Sequence, residues 1–266
     1  MVLNLKLIYK SKQKNRMLRT SPLGEVLIEL SEIDSTNNYA MRLINEGMAE
    51  HGMTIRSDFQ TTGKGQHGNS WQAEERKNLL FTTILDTKGF QLQDQFLLNA
   101  FACLSVADYL MTNADIRNVT IKWPNDIYAE NKKIAGILIE NIIRGSTWTH
   151  AIIGIGLNVN QTYFPDMHWA TSMQLETGKT VKINLLMKEL LKSMNIHFKK
   201  FQSNPLSLLP LYNALLYRIT KEMTFTRNHE MHKGVVMGVD TSGFLKISVD
   251  GTIKSFKHKE IELILG

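Results

Sequence analysis

Apolar positions along this chain recur in two periods, one close to two residues and one close to 3.6, and the alternation outlines its elements. Val26–Leu30 has the texture of a short strand, and the polar run Ser35-Thr36-Asn37-Asn38 follows as a turn. Ser35 or Thr36 can cap a helix through about Glu46, in which Tyr39, Ala40, Leu43 and Ile44 fall at helical spacing. Met53–Ser57 reads as a strand, Gly63–Asn69 as a loop too rich in glycine for either regular element, and Leu79–Leu85 as a buried strand. Gln93–Met111 predicts a long helix with Phe96, Leu97, Ala100, Leu104, Ala107 and Leu110 on one broad face. Three strand-like runs follow, Val119–Lys122, Lys133–Ile143 and Thr149–Ile155, separated by Pro124-Asn125-Asp126 and Arg144-Gly145-Ser146. Asn184–Phe201 predicts a second long amphipathic helix. Near Thr220 the texture changes to short alternating segments at Lys233–Val239, Phe244–Val249 and Thr252–Phe256, with Asp250-Gly251 as a hairpin signal. The expectation is an α+β domain over residues 25–220, a small β-barrel over 221–266, and a poorly ordered leader over 1–24.

Composition changes this picture little. A 266-residue chain with 43% hydrophobic and 21% charged residues can hold one large domain with a small appendage. No apolar run approaches the ~20 residues a membrane helix needs, so no membrane association is expected. The basic N-terminus MVLNLKLIYKSKQKNRMLRT lacks the continuous apolar core of a secretory signal. The single Cys103, among Phe101, Leu104 and Val106, reads as a buried, inert thiol, and the cytoplasm is the expected compartment. A formal charge of +6 permits nucleic-acid binding without locating it. The basic residues gather in the leader and near the C-terminus rather than on one motif. A solvated basic surface is the plain reading, and attraction of an anionic ligand or acidic protein partner the alternative.

Three segments carry candidate chemistry. Gln60–Trp71 reads QTTGKGQHGNSW, and glycines at 63, 65 and 68 let backbone N–H groups approach an anion. They match the dinucleotide fingerprint only superficially, since a polar stretch and a strand follow instead of a helix, and no Walker A lysine is present. Taken alone, the loop is either a mobile surface turn or a phosphate cradle. Lys122-Trp123-Pro124-Asn125-Asp126 fixes a tight polar turn at a strand end, and Lys133 comes seven residues later at the start of an apolar strand. Across a hairpin, Asp126 and Lys133 could face one another, either as an ordinary surface ion pair or as a pair that neutralises phosphate and handles a metal ion or amine. Gly154-Ile155-Gly156-Leu157-Asn158 is either a bulged structural strand or a surface a flat ligand can approach, with Asn158 reading a purine edge.

In this order, Ser35–Asn37, the glycine loop with Trp71, KWPND followed by KIAGIL, and GIGLNVN resemble the biotin–protein ligases, over a stretch from about Leu27 to the chain end. The resemblance implies a mixed sheet backed by helices, related to class II aminoacyl-tRNA synthetases, with a small C-terminal SH3-like β-barrel. It implies ATP, biotin and Mg²⁺ as ligands, adenylation of biotin, and transfer to one lysine of a biotin carboxyl carrier protein domain. Carried over by position, Ser35, Thr36, Asn37, Gln60, Gly63, Gly65 and Gly136 would bind biotin. Gln66, His67, Gly68, Asn69, Trp71, Lys122, Asn125, Gly156 and Asn158 would bind the nucleotide, with Trp71 supporting loop closure. Lys133, Asp126 and Lys64 would act in catalysis, and Asp126 would be the metal contact. Many members place arginines in the glycine loop, whereas this chain has Lys64, Gln66, His67 and Asn69. Gln66 stands where an arginine that grips the adenylate's phosphate is usual, and a neutral amide makes a weaker contact. The catalytic weight therefore shifts to Lys133.

Lipoate ligases share the implied fold and are the nearest competing reading; a non-catalytic DNA-binding regulator is the third. The 34 residues before Ser35 are too few and too poorly patterned for the helix-turn-helix module of some bacterial relatives, so a monofunctional type without DNA binding is expected. A homodimer is left open.

Overall fold

A computed structural model of the chain describes residues 21–264. Most of the expected leader therefore lies outside the described residues. Its last part does not behave as a leader: Leu23 is buried, and its N–H donates to Asn195 Oδ1 at 2.8 Å.

Seven strands form the main sheet: β1 (Leu27–Ile33), β2 (Thr54–Gln60), β3 (Leu79–Asp86), β4 (Val119–Lys122), β5 (Asp126–Ala129), β6 (Lys132–Arg144) and β7 (Thr147–Leu157). Their spatial order is β1-β2-β3-β7-β6-β5-β4. Only β1 and β2 run parallel, joined by the helix α1 (Thr36–Asn45), and every other pairing is antiparallel, so the sheet is mixed. Period-two alternation divides β3, β6 and β7 between two environments. Leu79, Phe81 and Leu85 of β3, Ala135 and Ile137 of β6, and Ile153, Ile155 and Leu157 of β7 join the larger core. Against it pack α2 (Gln95–Thr112), the short α3 (Met173–Thr177), α4 (Ile183–Ser203) and α5 (Leu208–Ala214). The helix α2 is apolar around most of its circumference rather than on one face, because it is covered by the sheet on one side and by α4 and α5 on the other. On the opposite face, Ile84 and Ile152 pack beneath Ala40, Leu43 and Ile44 of α1 in a second, smaller core. Among the described residues, no helix is long and apolar enough to cross a membrane.

The C-terminal segment forms a separate antiparallel sheet from β8 (Glu222–Arg227), β9 (Glu230–Val239), β10 (Leu245–Val249), β11 (Thr252–Phe256) and β12 (Glu262–Leu263). Their order is β11-β10-β9-β8-β12, which leaves β11 and β12 as two edges, so the ladder describes an open sheet. It shares the larger core through Phe225, Val236 and Leu245, and side-chain hydrogen bonds help fasten it to the larger body. Trp123 Nε1 donates to Gly243 O at 3.0 Å. The Asn213 side chain brackets Val239, donating to its carbonyl at 3.0 Å and accepting from its N–H at 2.8 Å.

Candidate active site

The sheet register sets three rows of residues across β3, β7 and β6 on the face that α1 only partly covers. The first row is Leu80, Gly156 and Gly136; the second is Thr82, Gly154 and Leu138; the third is Ile84, Ile152 and Glu140. Glycines in adjacent strands of the first row, with Gly154 behind them, leave a trough into which the sheet itself sends no side chain. The trough forms the floor of a cleft of about 1340 Å³, whose walls come from the N-terminus of α1, the 64–72 stretch, the 122–126 turn, the 165–169 loop and the rim of the C-terminal sheet.

At its inner end stand Ser35, Thr36 and Asn37, all buried. The Thr36 N–H and hydroxyl both donate to Gln60 Oε1, at 2.8 and 3.0 Å, which fixes the orientation of the Gln60 amide. The Thr82 hydroxyl lies 2.8 Å from that of Thr36 and donates to Asn37 Oδ1 at 2.6 Å. Asn37 Nδ2 donates to Glu140 Oε2 at 2.7 Å. A Cβ on Gly154 would come within 2.3 Å of Asn37 Oδ1, so the glycine is what admits this amide.

At the other end, Lys133 Nζ lies 2.7 Å from Asp126 Oδ1, with side-chain exposures of 19% and 23%. A bulge delivers the lysine there: Ile127 opposes Ala135 while Tyr128 opposes Lys133, so Ile134 is the extra residue. The backbone of Lys133 is held independently, its N–H donating to Trp169 O at 2.7 Å and its carbonyl accepting from Thr171 N at 2.9 Å. The ammonium lies 5.6 Å from the Trp71 ring centroid and 6.0 Å from that of Trp169, apolar surroundings that strengthen a charge's field. The preceding turn is anchored from below: Pro124 O accepts from Asn99 Nδ2 at 2.7 Å and from the Tyr212 hydroxyl at 2.8 Å. Asn125 Nδ2 donates to Ile137 O, and the Asn125 carbonyl accepts from Ile137 N at 3.1 Å. Burial pulls the Lys122 ammonium's pKa below its ordinary value, an effect that Asp126 partly offsets.

Between the two ends, the glycine stretch closes on itself. Gly65 N donates to Asn69 O at 2.7 Å and Trp71 N to Gly63 O at 2.9 Å, around a single 3-10 turn at Gln66–Gly68. This delivers the Trp71 indole onto the trough: a Cβ on Gly156 would lie 2.5 Å from Trp71 Cε2, and one on Gly136 would lie 2.9 Å from Cζ3. Trp71 Nε1 is buried there without a hydrogen-bond partner.

The model of the biotin/lipoate A/B protein ligase family matches residues 30–158. The structure of the Aquifex aeolicus biotin protein ligase in complex with biotin and ATP is 28% identical with a TM-score of 0.76, covering 91% of this chain and 100% of that one. The bifunctional ligase/repressor BirA of Bacillus spizizenii is 29% identical over 253 residues, 92% of this chain and 76% of the relative. The biotin–[acetyl-CoA-carboxylase] ligase of Paracoccus denitrificans is 28% identical over 228 residues, 81% of this chain and 91% of the relative. The chain is thus similar to biotin–protein ligases along most of its length, and its residues 30–158 match the biotin/lipoate A/B protein ligase model.

Most residues that the family resemblance singled out converge on the one cleft: Ser35, Thr36, Asn37, Gln60, Lys64, Gly65, Gln66, Asn69, Trp71, Lys122, Asn125, Asp126, Lys133, Gly136 and Gly156 line it. Gly63 and Gly68 do not. Gly63 instead lies against the Trp71 carbonyl, 2.5 Å from where its own Cβ would stand. The side chain of His67 lies outside the described part of the structure. Asn158, expected at a purine edge, also does not line the cleft: it is 4% exposed, and its Nδ2 donates to Thr171 O at 2.9 Å. It braces the chain after β7 because β7 turns inward there, with Asn158 N donating to Ile134 O at 2.9 Å. Lys64 pairs with Glu140, its Nζ 3.6 Å from Oε1. Four residues of the site carried no sequence signal of their own: Thr82, Glu140, Gly154 and Trp169. Only Gly154 stood inside a motif, and the alternation of β6 could have flagged Glu140 as a charge on an otherwise apolar strand face.

Proposed function

We propose that the chain is an ATP-dependent biotin–protein ligase. The Lys133–Asp126 pair carries this reading: a cation and a carboxylate held 2.7 Å apart at one end of a glycine-floored trough whose other end is lined by hydroxyls and amides. Hydroxyls and amides suit a cyclic urea, which both donates and accepts hydrogen bonds. The dithiolane of lipoate does neither, which favours biotin over the lipoate reading. The glycine trough suits a slender acyl tail lying between the two ends, with its carboxylate beside Lys133.

The first step joins a biotin carboxylate oxygen to the α-phosphorus of ATP, breaks the α–β phosphoanhydride and releases pyrophosphate. Lys133 is placed to stabilise the negative charge shared by carboxylate and phosphate. In the second step a lysine amine of a carboxylase's carrier domain attacks the mixed anhydride, forms the amide, and expels AMP and a proton. Asp126 is placed to orient that amine and accept hydrogen bonds from it. Trp71, lying on Gly136 and Gly156, excludes water from the trough, while Trp169 offers an aromatic face beside Lys133 for the purine. Gln66, Asn69, Lys122 and Asn125 are the residues available along the nucleotide side.

Asp126 is a single carboxylate, and no group of three or more His, Cys, Asp or Glu side chains converges among the described residues. A Mg²⁺ ion fits here as one carried in on the triphosphate and touched by Asp126 rather than caged by protein. When bound it would screen the phosphate charge. In this reading residues 25–220 form a ligand-binding domain of class II synthetase type and residues 221–266 an SH3-like module. ATP–pyrophosphate exchange tests the adenylation step: exchange that depends on biotin and not on lipoate is expected, and exchange driven by lipoate alone would overturn the assignment.

A further inference from the structure

The cleft face carries a carboxylate that the steps above do not use. Glu140 stands in the third row of the sheet, beside Ile152 and next to α1, and its two oxygens point to different parts of the site. Oε2 accepts from Asn37 Nδ2 at 2.7 Å, and Oε1 lies 3.6 Å from Lys64 Nζ. An ionised carboxylate can only accept, so it forces Asn37 to turn its amide nitrogen inward and its oxygen toward the Thr82 hydroxyl at 2.6 Å. Asn37 is 3% exposed and presses on Gly154, so it has no alternative orientation to adopt. Both ends of its amide are thus occupied within the protein. Lys64, by contrast, belongs to the glycine stretch that places Trp71 on the trough, through the antiparallel bridge between Lys64 and Ser70.

We propose that Glu140 is a positioning residue of the ligase reaction, fixing the pocket-forming amide of Asn37 with one oxygen and holding the glycine stretch in register with that pocket through Lys64 with the other. The inference rests on the proposed function only for its kinetic readouts. Asn37 accordingly shapes the inner pocket rather than being consumed by the ligand, and the loop's closed position depends on a charge beneath it. The pair to Lys64 is part-exposed, with side chains 43% and 31% accessible, so its contribution is modest, while the bond to Asn37 is the stronger constraint.

The test uses the full chain and three variants. Glu140→Gln keeps an acceptor for Asn37 and removes the charge facing Lys64; Glu140→Ala removes both. Hydrogen exchange without ligands is expected to quicken about two- to fivefold over residues 63–71 in Glu140→Gln, with no further increase when Lys64→Met is added. The biotin KM is expected to rise about tenfold in Glu140→Ala with a smaller change in kcat, and to be largely rescued in Glu140→Gln. Unchanged exchange in Glu140→Gln, independent addition of the Lys64→Met effect, or equal KM values in the Gln and Ala variants would overturn the proposal. If Glu140→Ala loses its native circular dichroism, the exchange data on Glu140→Gln decide alone. A parent chain without biotin-dependent activity would defeat the proposed function and leave the exchange result to judge Glu140.

Discussion

Replacing Lys133 by methionine keeps most of the side-chain volume and removes the cation from the Asp126 pair. The ammonium sits 2.7 Å from Asp126 Oδ1, and both side chains are about one-fifth exposed, so the carboxylate left behind is only partly rehydrated. Leaving such a group without its partner costs about 1–3 kcal/mol. For a protein of this size that is a fall of roughly 2–12 °C in Tm. The catalytic cost is separate. Removing one preorganised charge from the site of developing negative charge costs about 10²–10³ in rate, or roughly 2.7–4 kcal/mol. The double variant Lys133→Met with Asp126→Asn removes the orphaned carboxylate, so it should recover most of the lost Tm and none of the lost activity. Gln66→Ala, at a neutral amide on the cleft wall, should cost less than about tenfold. Biotin-dependent pyrophosphate release and thermal melts, run on the parent and these three variants, separate the two effects. Adenylation above a tenth of the parent rate in Lys133→Met, or recovery of activity in the double variant, would refute the role assigned to this lysine.

Gly156→Ala places a Cβ 2.5 Å from Trp71 Cε2, forcing the indole off the trough. The biotin KM should rise about tenfold and tryptophan emission should shift to the red. Trp123→Phe deletes the bond from Nε1 to Gly243 O that ties the C-terminal sheet to the 122–126 turn; limited proteolysis should release the 221–266 segment faster than in the parent, by a factor of about 5–10 for a loss near 1 kcal/mol. His197 is 5% exposed, and burial lowers its pKa below 6.5. Because the folded pKa is depressed, the unfolded chain binds the extra proton first, so stability should fall as pH drops below about 6.5. His197→Gln should flatten that dependence in urea melts between pH 7 and 5, and an unchanged slope would show that other groups carry it.

The order of the elements was readable because periodicity reports burial, and burial is local to each strand or helix. Val119–Lys122 and Thr252–Phe256 match their sequence expectations at both ends, and the two long helices differ from theirs by one or two residues at each end. The short β5 was read as part of a turn because Pro124-Asn125-Asp126 dominates its signal, and β12 is only two residues long. A closed barrel was expected from hairpin signals, which fix neighbouring pairs and say nothing about whether the outer strands meet. The facing of Asp126 and Lys133 was legible from spacing across a hairpin, though the bulge that accomplishes it was not. The bonds of Asn37 to Thr82 and Glu140 span 45 and 103 residues, and only the sheet register brings those positions together. Asn158 does not face the cleft, and its motif could not show that: a motif indicates which residues recur together, not which of them face a ligand.

The central claim, that this site attaches biotin to a lysine of a carrier domain, is tested most directly by intact mass spectrometry. A biotin carboxyl carrier domain would be incubated with the protein, ATP, Mg²⁺ and equal concentrations of biotin and lipoate. A gain of one biotinyl group on a single lysine, absent in the Lys133→Met variant, is the expected result. A lipoyl adduct, or an unmodified carrier after ATP has been consumed, would contradict the account.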